Sequence, residues 1–184
     1  MSSKILIHTC CAPCLIWPQN LLKEKGFQVA GFFYNPNIHP QEEYQRRRDA
    51  VEKLSQINGA EMIYPGYDPN EYYQAIGNQK EGKERCLICW SLRLQRTALN
   101  ALERGFSHFT TTLLVSPHQD QDSLKKIGQD ISAETGVPFY WEDFRSGYRL
   151  AHQQAKAEGI YCQKYCGCEF SLTEKNDRKH KVKR

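Results

Sequence analysis

The sequence lacks any apolar run long enough to cross a membrane or to serve as a secretory leader. Its opening, M-S-S-K-I-L-I-H, holds only a short apolar stretch. We therefore expect a cytoplasmic protein with no membrane partner. In that compartment stable structural disulfides are disfavoured, so a disulfide-stapled secreted domain is set aside. The composition also lacks the signature of disorder: 40% of residues are hydrophobic and 25% charged. No internal repeat is visible. A chain of 184 residues is about one domain and can bury a core without staples.

Cysteine is what the chain has, and all 8 cysteines fall in three clusters. Cys10, Cys11 and Cys14 lie in H-T-C-C-A-P-C. Cys86 and Cys89 form a C-x-x-C. Cys162, Cys166 and Cys168 lie in Y-C-Q-K-Y-C-G-C. Gathered thiolates are soft ligands for zinc or iron–sulfur clusters, and neighbouring thiols can cycle as a disulfide. Only Cys86/Cys89 is a proper zinc knuckle. The side chains of adjacent Cys10 and Cys11 diverge, which suits two irons of a cluster better than one tetrahedral ion. Spacing therefore ranks iron–sulfur first, zinc second and inert core thiols third. Cys166-Gly167-Cys168 can close a strained, easily reduced disulfide, a catalytic trait; extra metal ligation is an equal reading.

Hydrophobic patterning places strands at Lys4–His8, Phe27–Tyr34, Glu61–Tyr64, Phe109–Leu114 and Val137–Trp141. Helices are expected at Leu15–Glu24, Gln41–Asn58, Glu71–Ile76, from Cys86 to Gly105, at Asp122–Thr135, and in the stretch up to Tyr161. Alternating strands and helices predict an α/β fold with an open parallel sheet and a helical C-terminal segment. Ligands of such sheets bind beyond the carboxyl ends of the strands. That edge receives Cys10, Cys11 and Cys14, then His118 and Asp120, then Asp143. His8 reads as a packed, hydrogen-bonded histidine rather than a ligand. The Arg46-Arg47-Arg48 run reads as one face of a surface helix. Formal net charge is +4, with a basic tail from Lys175 to Arg184 that is either solvated or attracted to nucleic-acid phosphates.

Five motifs in order, H-T-C-C-A-P-C, F-Y-N-P-N-I-x-P-x-x-E-Y, R-C-x-x-C-W-x-x-R, T-T-L-L-V-S-P and I-Y-C-Q-K-Y-C-G-C-E-F-S, closely resemble the QueH family, the cobalamin-independent epoxyqueuosine reductases. The resemblance runs from about Ile5 to Ser171. It implies a single Rossmann-like catalytic domain over residues 1–171, adenine nucleotide alpha hydrolase-like and akin to the N-type ATP pyrophosphatases, with a basic tail at 172–184. C-C-A-P-C replaces the S-G-G-x-D-S phosphate loop of those enzymes, so ATP binding is not expected. The implied activity is deoxygenation of an epoxide on the modified guanine at the wobble position of tRNA. The implied 4Fe-4S ligands are Cys10, Cys11, Cys86 and Cys89, and the implied redox-active pair is Cys166 and Cys168. A further iron is implied, with Cys14, Cys162 and Asp143 as candidate ligands. Asp143, His118 and Tyr148 are candidate general acids. The partners are tRNA and an electron donor that the sequence does not identify. Two rivals stand beside this reading: a tRNA thiolation enzyme, which would need an ATP loop, and a zinc-bound RNA-binding module without catalysis.

Overall fold

The structure, a computed structural model, describes residues 3–174. The tail from Lys175 to Arg184 lies outside the described residues. Four parallel strands form one sheet in the order β3-β2-β1-β4. They are β1 (Lys4–His8), β2 (Gln28–Phe32), β3 (Glu61–Ile63) and β4 (His108–Thr111). Flanking them are the helices α1 (Ala12–Glu24), α2 (Gln41–Asn58), α3 (Pro69–Ile76), α4 (Gly82–Glu103), α5 (Gln121–Thr135) and α6 (Tyr148–Ala157). None of the described helices is long and apolar enough to cross a membrane.

β1 is the centre of the molecule. Leu6 sits opposite Ala30 of β2 on one side and Phe109 of β4 on the other. Ile5, Leu6 and Ile7 are all fully buried. Successive strand residues point to opposite faces, so both faces of β1 are covered. That is why the strand reads as a continuous apolar run. The chain runs outward from β1 to β2 and β3, then returns to place β4 on the other side of β1. The order reverses between β1 and β4, and a crevice opens there at the strands' carboxyl ends.

Several boundaries differ from the sequence expectation, each for a local reason. α1 begins at Ala12, because Pro13 falls in the first turn, where a missing N–H breaks no helical bond. Cys14 is therefore helical. α4 begins at Gly82 rather than Cys86, which puts the C-x-x-C on its second turn. The strand expected through Leu114 stops at Thr111, whose Oγ1 accepts from Leu113 N at 3.1 Å and starts a 3-10 turn over Thr112–Val115. The strand expected at Val137–Trp141 is reduced to one bridge, Phe109 with Phe139. Pro138 supplies a carbonyl to Phe109 N but has no N–H to extend the ladder. Past α6 the chain is irregular until residues 169–174, which are helical.

Candidate active site

The loop after β1 turns directly into α1 and carries three cysteines with it. The sulfurs of Cys10, Cys11 and Cys14 all lie within 4.8 Å of one another. Thr112, just past β4, receives Cys10 N on its Oγ1 at 3.1 Å and donates to Cys10 Sγ at 3.3 Å. Gln163 donates through Nε2 to Cys11 Sγ at 2.9 Å and to Cys14 Sγ at 3.5 Å. Hydrogen bonds from Cys11 and Cys14 hold the Cys10 thiol far below its usual range, while burial pushes Cys11 up. His8 is fully buried between Thr111 Oγ1 at 3.0 Å and the Tyr34 carbonyl at 3.1 Å. Burial, with Arg93 nearby, lowers its pKa to about 4, so it is the packed neutral histidine that the sequence suggested.

Cys86 and Cys89 sit three residues apart on α4 and so share a helix face. They stay outside the 4.8 Å sphere of the β1 cysteines but line the same cleft, of about 1420 Å³. Cys166 and Cys168 line it too. Cys168 packs with Cys89, Tyr72 and Ile76 in a small buried cluster. The Cys166 and Cys168 sulfurs are 3.8 Å apart. Hydrogen bonding with Cys168, and also with Ser171, lowers the Cys166 pKa to about 6, and the bond between the two thiols raises that of Cys168. The pair thus holds one thiolate-prone and one proton-holding sulfur.

The 161–168 segment has little regular structure, yet it is tightly held. Arg47, only 2% exposed, donates to Glu43 Oε1 at 2.8 Å, to the Tyr165 carbonyl at 3.0 Å and to the Cys166 carbonyl at 3.1 Å. Tyr161 OH donates to Glu43 Oε2 at 2.7 Å. His39 N donates to the Gly167 carbonyl at 2.8 Å, and Tyr165 OH donates to the His39 carbonyl. Arg47 is therefore a structural clamp, which corrects its reading as part of an exposed face; Arg46 does remain exposed.

Three buried arginines, Arg47, Arg85 and Arg93, line the cleft among its six lining cysteines. Arg93 donates to the Cys89 carbonyl at 3.1 Å, and Arg85 pairs with Glu174 at 2.9 Å. Soft thiol donors at two walls of one cleft, with fixed positive charge beside them, fit an iron–sulfur cofactor. Of the remaining expected residues, His118 lies exposed on the cleft wall, edge-on to Tyr148 at 6.3 Å between ring centres. Tyr148 also lines the cleft, and burial raises its phenol pKa. Asp120, ion-paired to Lys83 at 2.6 Å, lines it as well. Asp143 and Cys162 do not. Asp143 is bound to Arg145 at 2.6 Å, and Cys162 donates to the Ile160 carbonyl at 3.6 Å. Arg85, Arg93 and Gln163 escaped the sequence reading. The signal for the arginines was present: Arg85, Cys89 and Arg93 repeat every four residues along α4.

Comparison with known proteins gives a consistent result. Residues 5–174 match the family model described as epoxyqueuosine reductase QueH. The epoxyqueuosine reductase QueH of Thermotoga maritima is 39% identical, over 98% of this chain and 96% of its own length. That of Dehalococcoides mccartyi is 38% identical, over 95% and 96% respectively. Among solved structures, a protein described as a predicted subunit of tRNA methyltransferase from Methanocaldococcus jannaschii superposes with a TM-score of 0.57 at 12% identity. That match covers 84% of this chain and 74% of the other, and it speaks to the fold alone.

Proposed function

The chain belongs to the epoxyqueuosine reductase QueH family, and we propose that it reduces epoxyqueuosine to queuosine at the wobble position of tRNA. It is an oxidoreductase. One observation carries the mechanism: Cys10 and Cys14 of the metal-type cysteine group, the Cys86/Cys89 pair and the Cys166/Cys168 pair all line the same cleft.

The atoms and electrons balance. Removing the epoxide oxygen consumes two electrons and two protons, forms the alkene and releases water. With Cys166 as thiolate and Cys168 as thiol, the pair contains both electrons and one proton and becomes a disulfide as they leave; the second proton comes from a general acid on the cleft wall. An external donor then reduces the disulfide. Cys166 and Cys168 are suited to the task because one sulfur ionises easily and the other keeps its proton. Cys10, Cys11, Cys86 and Cys89 would hold a 4Fe-4S cluster. Such a cluster supplies Lewis acidity toward oxygen and single-electron chemistry when bound. Among the candidate ligands of a further iron, Cys14 is on the cleft wall, while Asp143 and Cys162 are not. His118 and Tyr148 are the cleft-lining candidates for delivering a proton to the departing oxygen. The buried side chains of Tyr72, Leu113 and Trp90 form the apolar part of the cleft wall.

The test is reduction of epoxyqueuosine-containing tRNA by anaerobically prepared protein with a chemical reductant, read by nucleoside mass spectrometry. Wild type is expected to turn over repeatedly. Cys166→Ser is expected to keep its visible absorption and lose multiple turnover. A Cys166→Ser protein cycling at the wild-type rate would remove the pair from the mechanism.

A further inference from the structure

We infer that Asn37 is a specificity residue that reads the Watson–Crick edge of a guanine-type base in the cleft, with Gln163 as a second acceptor. The inference rests on the reductase reading above and adds how the base is recognised.

Asn37 lies on the cleft wall and is only 2% exposed. Its Oδ1 is buried and has no hydrogen-bond partner among the described residues. Buried polar atoms are nearly always satisfied, so an orphan on a cleft wall points to a ligand. Asn35 in the same loop donates through Nδ2 to the Thr9 carbonyl at 2.8 Å; its Oδ1 is also unpartnered, but Asn35 is not on the cleft wall. The loop that carries Asn37 is fixed on both sides: Tyr67 OH donates to the Ile38 carbonyl at 2.7 Å, and His39 N to the Gly167 carbonyl at 2.8 Å. Its position beside the redox turn is equally definite. A methyl group added at Gly167 would come within 3.4 Å of Asn37 Nδ2.

Gln163 repeats the pattern. Its Nε2 is committed to the Cys11 and Cys14 sulfurs, which fixes the amide's orientation. Its Oε1 is then left buried and without a partner. The cleft-lining residues thus include two orphan amide acceptors, which call for donors on the ligand, and two orphan groups that can donate, Arg85 Nε and Tyr72 OH, which suit a carbonyl on the same ligand. Guanine's Watson–Crick edge carries a ring N–H and an exocyclic amine. Adenine places a ring acceptor where guanine has its ring N–H. Side-chain amides are common readers of base edges, and an extruded or single-stranded base is read on this edge.

The experiment compares anticodon stem-loop RNAs with guanine or adenine at the wobble position, bound to cluster-loaded protein and followed by fluorescence anisotropy. Wild type is expected to prefer guanine by roughly tenfold. Asn37→Leu should bring the ratio close to one, with affinity for the adenine loop and the visible absorption unchanged. Should Asn37→Leu misfold, Asn37→Ala removes the same amide without adding bulk and is read identically. A guanine preference that survives the substitution overturns the inference. So does a wild type that reduces epoxyqueuosine-tRNA yet shows no preference, and in that case the reductase reading stands. Wild type with neither turnover nor preference overturns both.

Discussion

Cys166 and Cys168 are separated by a single glycine, yet their surroundings assign them opposite tasks. Hydrogen bonding with its partner thiol and with Ser171 favours the Cys166 thiolate; the same bond with Cys166, together with burial against Tyr72 and Cys89, makes Cys168 keep its proton. A free cysteine ionises at about 8.5. Cys166 should therefore be alkylated by iodoacetamide with a rate that climbs through pH 6 and is level by pH 8, while Cys168 reacts slowly throughout. Peptide mass spectrometry over a pH series checks this, and a Cys166 midpoint near 8.5 would contradict it. The glycine between them has its own requirement. Gly167 adopts φ +120, and an added Cβ would meet Ile38 Cγ1 at 2.9 Å. L side chains rarely adopt that backbone conformation. Gly167→Ala should thus displace the turn, and we expect at least a tenfold loss of turnover with the visible absorption intact. Wild-type turnover would show that the turn tolerates the strain.

At the scale of elements, α2 does the work that a second sheet strand does elsewhere: it holds an irregular segment in place. Glu43, Tyr44, Arg47, Ala50, Val51 and Leu54 are its buried stripe, spaced at helical intervals. Two of the six are charged, and they form a buried pair whose remaining hydrogen bonds go to Tyr161, Tyr165 and Cys166. Removing one partner of such a pair leaves the other buried and uncompensated, at a cost of about 3–5 kcal/mol. Arg47→Met should lose about that much in urea unfolding and should also expose the 161–168 segment to proteolysis; a loss under about 1 kcal/mol would mean that the clamp is dispensable. The helix itself was legible in the sequence to the residue, Gln41–Asn58. The clamp was not, although the stripe's spacing already pointed Arg47 inward. What periodicity cannot supply is the partner, because Tyr165 and Cys166 lie far along the chain and are placed by the fold. The fifth strand failed for the opposite reason: its composition suits a strand, but one proline removes the donor that a ladder needs.

For the whole molecule, the legible part is the sheet and the edge on which chemistry sits. β1 and its following cysteines, the C-x-x-C helix and the C-x-C segment converge on one cleft, as the strand-end rule requires. The arginines among them were marked by helical spacing, Arg85 and Arg93 on α4 and Arg47 on α2, whereas the orphan amides of Asn37 and Gln163 became visible only once distant segments were brought together. Charge is distributed over the molecule in the same purposeful way. Beyond Asn176 the sequence holds Arg178, Lys179, Lys181, Lys183 and Arg184 against a single Asp177, which equals the entire formal surplus of +4. Polyanionic tRNA meets such a segment by counterion release, which adds affinity without reading sequence. The cleft has its own buried arginines in Arg47, Arg85 and Arg93, so we expect the chemical step not to depend on the tail. A chain ending at Asn176 should therefore bind tRNA more weakly at low salt, and its log affinity against log salt should flatten by about three units of slope, since each phosphate contact contributes roughly 0.7–0.9. Its kcat on epoxyqueuosine-tRNA should match that of the full chain. A truncated protein with an unchanged slope would leave the tail as solvated charge; one with a lowered kcat would place it at the site of reaction rather than at the approach to it.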